Sequence, residues 1–337
     1  MEKPRFSVIM PLYNKAPYVK KALESIVSQT FNDWELIIVD DGSTDNSVAI
    51  CEEYISTIKR SVTINQSFIG NIRIISQPNA GVAAARNHGV AQSNGEYVCF
   101  LDADDWWEPM FLEEIDNLIV KYPDAGIYCT NYVYYKPGKT HVSLNVPTGY
   151  MNYPEVYLYD LTMPVCSSAT CLPKKVFDEM GGFPLGIKLG EDFLLWAKTA
   201  LRYPIAYSEN PLAYYNNDVP AHLRATRNLH APEYSMYFHF DEIEELINRL
   251  QSTSNKAASW RLLLDKLRIT GLMDYWLSKE YHDAAAVELK KVDWSKQSRN
   301  VKAQYEKPIW FLNTKKCFLQ IGSYCKQTFI KLIYRNQ

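Results

Sequence analysis

The sequence predicts an α/β fold, a Rossmann-like, mostly parallel sheet flanked by helices, with a C-terminal helical extension. Three observations predict it. Strand-like apolar runs alternate with helix-length segments from Phe6 to Lys121. Four successive strand candidates end in polar clusters, the second and the fourth of them rich in Asp. Beyond Pro220, Gly and Pro become scarce and the apolar spacing turns helical. Strands alternating with helices of this length form βαβ units, which give a parallel sheet covered on both faces.

The elements follow in order. Phe6–Met10 reads as a short buried strand, and Tyr18–Ser28 has helical periodicity. Glu35–Asp40 is β-branched and apolar, and Asn46–Lys59 is again helical. Ile72–Ser76 is a third strand, followed behind Gly81 by an Ala-rich helix over Val82–Gln92. Tyr97–Leu101 is a fourth strand, with a helix over Pro109–Lys121. From about residue 127 to 173 the chain reads as irregular and β segments rich in Tyr and Pro. Ser167–Leu172 is a strand candidate leading into a helix at Lys174–Met180. The turn cluster Gly181–Pro184 precedes a helix over Asp192–Arg202. The expected division is residues 1–110 and 111–220 as two halves of one domain, with 221–337 as the extension.

With 337 residues the chain is long enough for one large domain and an appendage. A net charge of -2 supplies no global field for nucleic acid, so no nucleic-acid partner is expected. The 24 tyrosines suit sugar-stacking surfaces and polar-rimmed cores equally well. The seven cysteines include no CxxC pair, which reads as reduced thiols. No apolar h-region follows Met1, and no apolar run approaches the roughly 20 residues of a membrane span. The expected location is the cytoplasm.

In an open parallel sheet, ligands bind beyond the carboxyl ends of the strands. Those ends here are Pro11-Leu12-Tyr13-Asn14, Asp40-Asp41-Gly42-Ser43-Thr44-Asp45, Gln77-Pro78-Asn79-Ala80-Gly81 and Asp102-Ala103-Asp104-Asp105. Carboxylates crowded on one rim repel unless something positive sits among them. A hard divalent cation, Mg²⁺ or Mn²⁺, bound by one or two carboxylates and completed by substrate phosphates, meets that need. Asp102 and Asp104 fall on one side of an extended chain while Asp105 points elsewhere. Asp-Gly-Ser-Thr-Asp is also good turn chemistry, with Asp45 and Ser47 as helix-capping groups. Four such clusters in order are harder to explain as turns.

In VIMPLYN, VDDGSTD, QPNAGVAAARNHG and FLDADDWWEP the chain resembles the nucleotide-sugar-binding half of family 2 glycosyltransferases, which have the GT-A fold. The likeness covers about residues 5–110, and Leu189–Trp196 resembles the Glu-Asp motif of that family. It implies a metal-dependent, inverting transfer of a sugar from a nucleotide-sugar donor, a UDP-sugar by preference, to a glycan or lipid-linked glycan acceptor in surface-polysaccharide assembly. Pro11 and Tyr13 would line the base and ribose pocket, and Asp41 would accept a hydrogen bond from the base. Asp102 would reach the ribose or the metal, and Asp104 would ligate the metal. Arg86 would orient these carboxylates or contact the donor, or else form a buried structural ion pair. Asp192 would be the general base and Glu191 a bond to the acceptor; adjacent helical residues point about 100° apart, so only one faces the acceptor. The alternative for both acids is that they favour the positive end of a helix dipole. The family often carries a downstream histidine over the diphosphate; His222 is the candidate for that place, at an unexpected spacing.

Other classes fit less well. A Rossmann oxidoreductase is disfavoured because the first strand-to-helix turn reads Pro-Leu-Tyr-Asn-Lys and not GxGxxG. A metal-dependent nuclease would need a basic patch beside the acids. A non-catalytic nucleotide- or sugar-binding module of the same fold is the non-enzyme alternative. The acid-free segment 310–334 carries Phe, Ile and Leu interleaved with Lys315, Lys316, Lys326, Lys331 and Arg335 at its edge. It reads as a helix packed on the domain or a second subunit, or as a peripheral contact with the inner face of the cell membrane.

Overall fold

The computed structural model describes residues 3–60, 72–220, 229–250 and 255–305. His222 and the basic segment 310–334 lie outside the described residues. Two compact units are present: Met1–Val156 with Thr162–Asn228, and Tyr157–Leu161 with the chain from Leu229 onward.

The first unit opens as the periodicity predicts: β1 (Phe6–Leu12), α1 (Val19–Val27), β2 (Trp34–Asp40), α2 (Ser47–Arg60), β3 (Ile72–Ser76), α3 (Val82–Ala91) and β4 (Tyr97–Phe100). It continues with β5 (Trp106–Trp107), α4 (Phe111–Lys121), β6 (Ile127–Tyr135), β7 (His141–Val142) and β8 (Gly149–Met151), and with the start of α5 (Tyr153–Asp160), whose residues from Tyr157 belong to the second unit. A 3-10 turn at Ser167–Ala169 leads to β9 (Thr170–Pro173), α6 (Lys174–Glu179), α7 (Glu191–Arg202) and β10 (Ile205–Asn216).

The sheet order is β3-β2-β1-β4-β9-β6-β10-β5, with β7 on β6 and β8 on β10. The pairings β1–β2, β2–β3 and β1–β4 are parallel, whereas β9 runs antiparallel to both β4 and β6. The sheet is therefore parallel in its first half and mixed beyond β4. The chain builds outward from β1 to β3, then returns to place β4 on the other side of β1. That reversal makes the β1/β4 boundary the topological switch point, where a crevice opens at the carboxyl ends.

Register fixes the depth of that crevice. Leu12, Asp40 and Ser76 are aligned across β1, β2 and β3, so three strands end level. Phe100 pairs with Ile9, three positions before the end of β1. The remaining rim is filled by the loop Leu101–Asp105.

Burial explains why these segments hold. β1 and β2 are buried at every position, as strands covered on both faces must be. α1 lacks a side-chain N-cap but buries Val19, Ala22, Leu23 and Ile26. Burying Leu23 and Ile26 is worth about 1.5–3 kcal/mol each, against ~1 kcal/mol for a cap, so packing decides the helix. α3 lies close on β1 and β2: a Cβ at Gly89 would sit 2.4 Å from Ile9 Cγ2. Side chains from β1, β2, β4, β6, α1 and α4 share one apolar cluster.

β10 is the element the periodicity hides. Its pairing with β6 slips at Ser208, Pro211 and Ala213, so the period-2 pattern is broken by a bulge around Pro211.

The second unit is helical: α8 (Asp241–Arg249), α9 (Asn255–Gly271), α10 (Met273–Trp276), α11 (His282–Leu289) and α12 (Arg299–Tyr305). Ile269, Leu272, Tyr275, Leu289 and Tyr305 belong to its own apolar cluster. Within it Arg268, 1% exposed, is paired to Glu244 at 2.7 Å and Glu288 at 3.3 Å.

Candidate active site

The rim at the switch point is assembled by side-chain to backbone hydrogen bonds. At the end of β1, Asn14 adopts a positive φ of 51°. Its Oδ1 accepts from the amides of Thr44 and Asp45 at 2.8 and 3.2 Å, tying the β1 turn to the β2 turn. Asp45 accepts from Ser47 N at 2.9 Å and from Ala16 N at 3.1 Å. Burial opposes the charge on Asp45, but these bonds together hold its carboxyl below the ordinary value. Asp45 thus caps and tethers, as its turn chemistry suggests.

Asp41 is 3% exposed. Its carboxylate accepts from Gln77 Nε2 and Ala80 N, both at 2.8 Å, and from Gly81 N at 2.9 Å. It therefore fastens the β3 loop and the start of α3 to β2. Beside it Pro11 is buried in β1, while Tyr13 stands out with 46% of its surface exposed.

Arg86 joins the first half of the unit to the second. It lies on α3, is 3% exposed, and donates from Nη2 to Asp102 Oδ1 at 2.7 Å and from Nη1 to Glu191 Oε1 at 3.1 Å. The Phe183 ring stacks 5.0 Å from its guanidinium carbon. Burial opposes the charge, but Asp102 and Glu191 outweigh it and hold the guanidinium above its ordinary value. The Asn87 side chain fixes the same turn, donating to Phe183 O at 2.8 Å and accepting from Phe183 N at 2.9 Å.

The acidic loop divides its work. Asp102 is paired with Arg86, and its amide donates to Ser168 Oγ at 3.1 Å. Asp104 is paired with Lys15 Nζ at 2.6 Å. Burial pushes the Asp104 carboxyl up, Lys15 pulls it back, and Asp102 adds to the rise. Asp105 turns inward and is 3% exposed; it accepts from Ser168 Oγ at 2.5 Å and from Asn216 N at 2.8 Å. Burial and the two neighbouring acids raise it well above the usual carboxylate range.

Glu191 and Asp192 open α7 behind Gly190, which takes the left-handed conformation at φ 81°. That conformation costs Gly little and lets the chain turn into the helix. Asp192 accepts from Phe193 N at 2.8 Å and from Ser167 Oγ at 3.2 Å. Burial raises its carboxyl and Arg86 partly counters this. Burial and the adjacent Asp192 push Glu191 up to about 7 against the pull of Arg86.

The structure thus gathers Asp102, Arg86 and Glu191 into one ion-paired chain, with Asp104 and Asp192 beside it in sequence. Three contributors escaped the sequence reading. Lys15 was visible as the cation within the β1-end motif, but nothing in the sequence pairs it with Asp104. Ser167 and Ser168 carry no sequence signal, yet they face Asp192 and the acidic loop respectively. Among the described residues no group of three His, Cys, Asp or Glu side chains is placed to hold a metal ion. Asp102 and Asp104 are nevertheless hard oxygen donors of the type and number that Mg²⁺ or Mn²⁺ takes when substrate phosphates complete its shell.

A Rossmann-like half ending in an acidic loop at the switch point, extended by a mixed second half, is the GT-A fold. The profile described as glycosyl transferase family 2 matches residues 7–181, and the chain belongs to that family. It is 41% identical over 128 residues to "Glycosyltransferase GlyA" of Streptococcus pneumoniae, covering 38% of this chain and 17% of that protein. It is 35% identical over 137 residues to "Minor teichoic acid biosynthesis protein GgaB" of Bacillus subtilis, covering 40% of this chain and 14% of that one. The matched stretch thus spans less than a fifth of either relative. Among solved structures, S. aureus TarS 1-349 in complex with UDP-GlcNAc superimposes with a TM-score of 0.65 at 20% identity, covering 89% of this chain and 83% of that one. The mannosyltransferase PcManGT from Pyrobaculum calidifontis, with GDP-Man and Mn2+, gives 0.54 at 17% identity over 100% and 89% of the two chains. No helix among the described residues is long and apolar enough to cross a membrane.

Proposed function

We propose that this chain transfers a sugar, with inversion, from a nucleotide-sugar donor to a hydroxyl of a glycan or lipid-linked glycan acceptor in surface-polysaccharide assembly. One observation carries the reading. Arg86 joins Asp102 of the donor-side loop to Glu191 of the acceptor-side helix, so residues far apart in sequence converge at the switch point.

Residues 1–110 would bind the donor and 111–220 the acceptor, with the chain beyond 220 as an extension. Tyr13 offers an exposed ring for stacking beside Pro11. Asp41 holds the β3 loop, which would wall the base pocket, and keeps acceptor capacity on Oδ2, where one amide bonds. A uracil N3–H suits that oxygen, and TarS was solved with UDP, which favours a UDP-sugar. Asp102 and Asp104 would hold Mg²⁺ or Mn²⁺ against the donor diphosphate, and His222 remains a candidate to join them. When bound, the ion supplies charge neutralisation for the leaving nucleotide.

Asp192 is the proposed base. As the acceptor oxygen forms its bond to the anomeric carbon and the bond to the diphosphate breaks, Asp192 takes the hydroxyl proton. Burial favours its protonated form, which strengthens it as a proton acceptor. Ser167 Oγ and Phe193 N fix the carboxylate so that it keeps one orientation. Glu191 is paired with Arg86, and in this reading it would bond the acceptor or steady the donor loop. The chain would act in the cytoplasm, with segment 310–334 either packed on the domain or a second subunit or in peripheral contact with the inner face of the membrane.

The test is a thermal-shift panel of UDP, GDP, NAD and UDP-sugars with and without Mn²⁺, followed by product analysis with the donor that binds. A metal-dependent shift with UDP and not with NAD supports the reading, because ligands of the native state raise stability by mass action. No shift with any nucleotide would refute it.

A further inference from the structure

Resting on that reading of the site, the geometry around the acidic loop points to a role for Lys15. We propose that Lys15 is a resident cation, whose ammonium occupies Asp104 in the donor-free protein and yields that oxygen when a divalent ion arrives with the donor diphosphate.

Three observations support this. Lys15 Nζ lies 2.6 Å from Asp104 Oδ2, and both side chains are 17% exposed, so the pair is shielded but reaches the crevice. The backbone of Lys15 is anchored, its amide donating to Ser47 Oγ at 2.7 Å, so any exchange at Asp104 falls to the side chain. Arg86, by contrast, is fixed: it is 3% exposed and is held by both Asp102 and Glu191.

Two crowded carboxylates need positive charge whether or not a donor is present. Arg86 matches Asp102, and Lys15 matches Asp104. A divalent ion ligated by Asp104 must compete with an ammonium bonded to the same carboxylate, and the two cations repel at such distances. Lysine suits a yielding role because its ammonium is a compact charge on a flexible stem, unlike the rigid fork of arginine. The consequence is ordered binding: the free protein resists the ion, and the diphosphate tips the exchange by adding negative charge and further oxygen ligands.

The experiment is a titration of Mn²⁺, with the free ion read by electron paramagnetic resonance, on the full chain without nucleotide, with UDP and, separately, with GDP. Wild type is expected to take up Mn²⁺ weakly alone and more tightly with the nucleotide that binds. Lys15→Met should tighten uptake without nucleotide about 10-fold or more, the scale of removing one like charge a few ångströms from the ion in a partly shielded site. Lys15→Arg, which keeps the charge, should stay near wild type, and Lys15→Gln replaces the Met variant if that one does not fold. Equal nucleotide-free affinity in wild type and a folded Lys15→Met or Lys15→Gln overturns this inference and leaves the proposed transfer standing. If wild type takes up no Mn²⁺ even with either nucleotide, the metal reading fails first and the role of Lys15 fails with it.

Discussion

Asp192 sits between opposing influences: burial raises its carboxyl, while Arg86 and the bonds from Phe193 N and Ser167 Oγ lower it. Removing its basicity without changing its shape isolates its role. Asp192→Asn should lower kcat by about 10²-fold or more and leave the donor KM near wild type, as steady-state kinetics would show. An active variant would remove Asp192 from the mechanism. Glu191 gives a prediction about stability. Its carboxyl is pushed from the ordinary 4.5 up to about 7. Below that window both the folded and unfolded chains hold the proton. Within it the folded chain keeps a proton that the unfolded chain has released, so the contribution of Glu191 to stability falls as pH rises from about 4.5 to 7. Melting curves across this range should therefore show wild type losing ground to Glu191→Gln as pH increases. A constant difference would contradict the raised value.

The elements that carry the site are held by close packing and by turns. α3 presents Arg86 and Asn87 only because Gly89 lets it approach β1. A Cβ there would lie 2.4 Å from Ile9 Cγ2 and 3.1 Å from Val39 Cγ2, both in the two-sided core. Gly89→Ala is expected to cost about 1–3 kcal/mol, the usual penalty of overpacking, measurable as a lower urea midpoint at unchanged slope. The start of α7 depends on Gly190 at φ 81°. Elements of this kind were legible to different degrees. β1 through β4 were plain because apolar runs of strand length sat between helical periods and ended in turn residues. β10 was not, because the slip around Pro211 breaks alternation and its partner β6 lies about 80 residues away.

For the whole molecule, ligand linkage and the second unit give separate predictions. UDP with Mn²⁺ at about 100 times its Kd should stabilise the native state by ~2.7 kcal/mol, seen as a rise in Tm. In the helical unit, Arg268 is 1% exposed and pairs with Glu244 and Glu288. Arg268→Met leaves Glu244 without this cation and Glu288 with Lys291 alone at 2.9 Å, and a loss on the order of 3 kcal/mol is expected in a urea titration. A loss below about 0.5 kcal/mol, the scale of an ordinary surface substitution, would show that the pair does not hold the helices.

By itself the sequence determined the βαβ order, the switch-point rim and the residue types there, because period, turn chemistry and strand-end polarity are local properties of the chain. Asp41, Asp102 and Asp104 were recognisable as rim acids for that reason, and Glu191 and Asp192 as the first turn of a helix. Only the tertiary structure decided the pairing: Arg86 between Asp102 and Glu191, Lys15 on Asp104, and the adjacent serines facing Asp192 and Asp105. It also decided which acid stays buried, since Asp105 turns inward only because Ser168 and the Asn216 amide await it. Such contacts join residues separated by up to 111 positions and depend on how β9 and β10 return to the sheet. Long-range charge pairing has no period and no spacing, so the sequence holds its parts but not their arrangement.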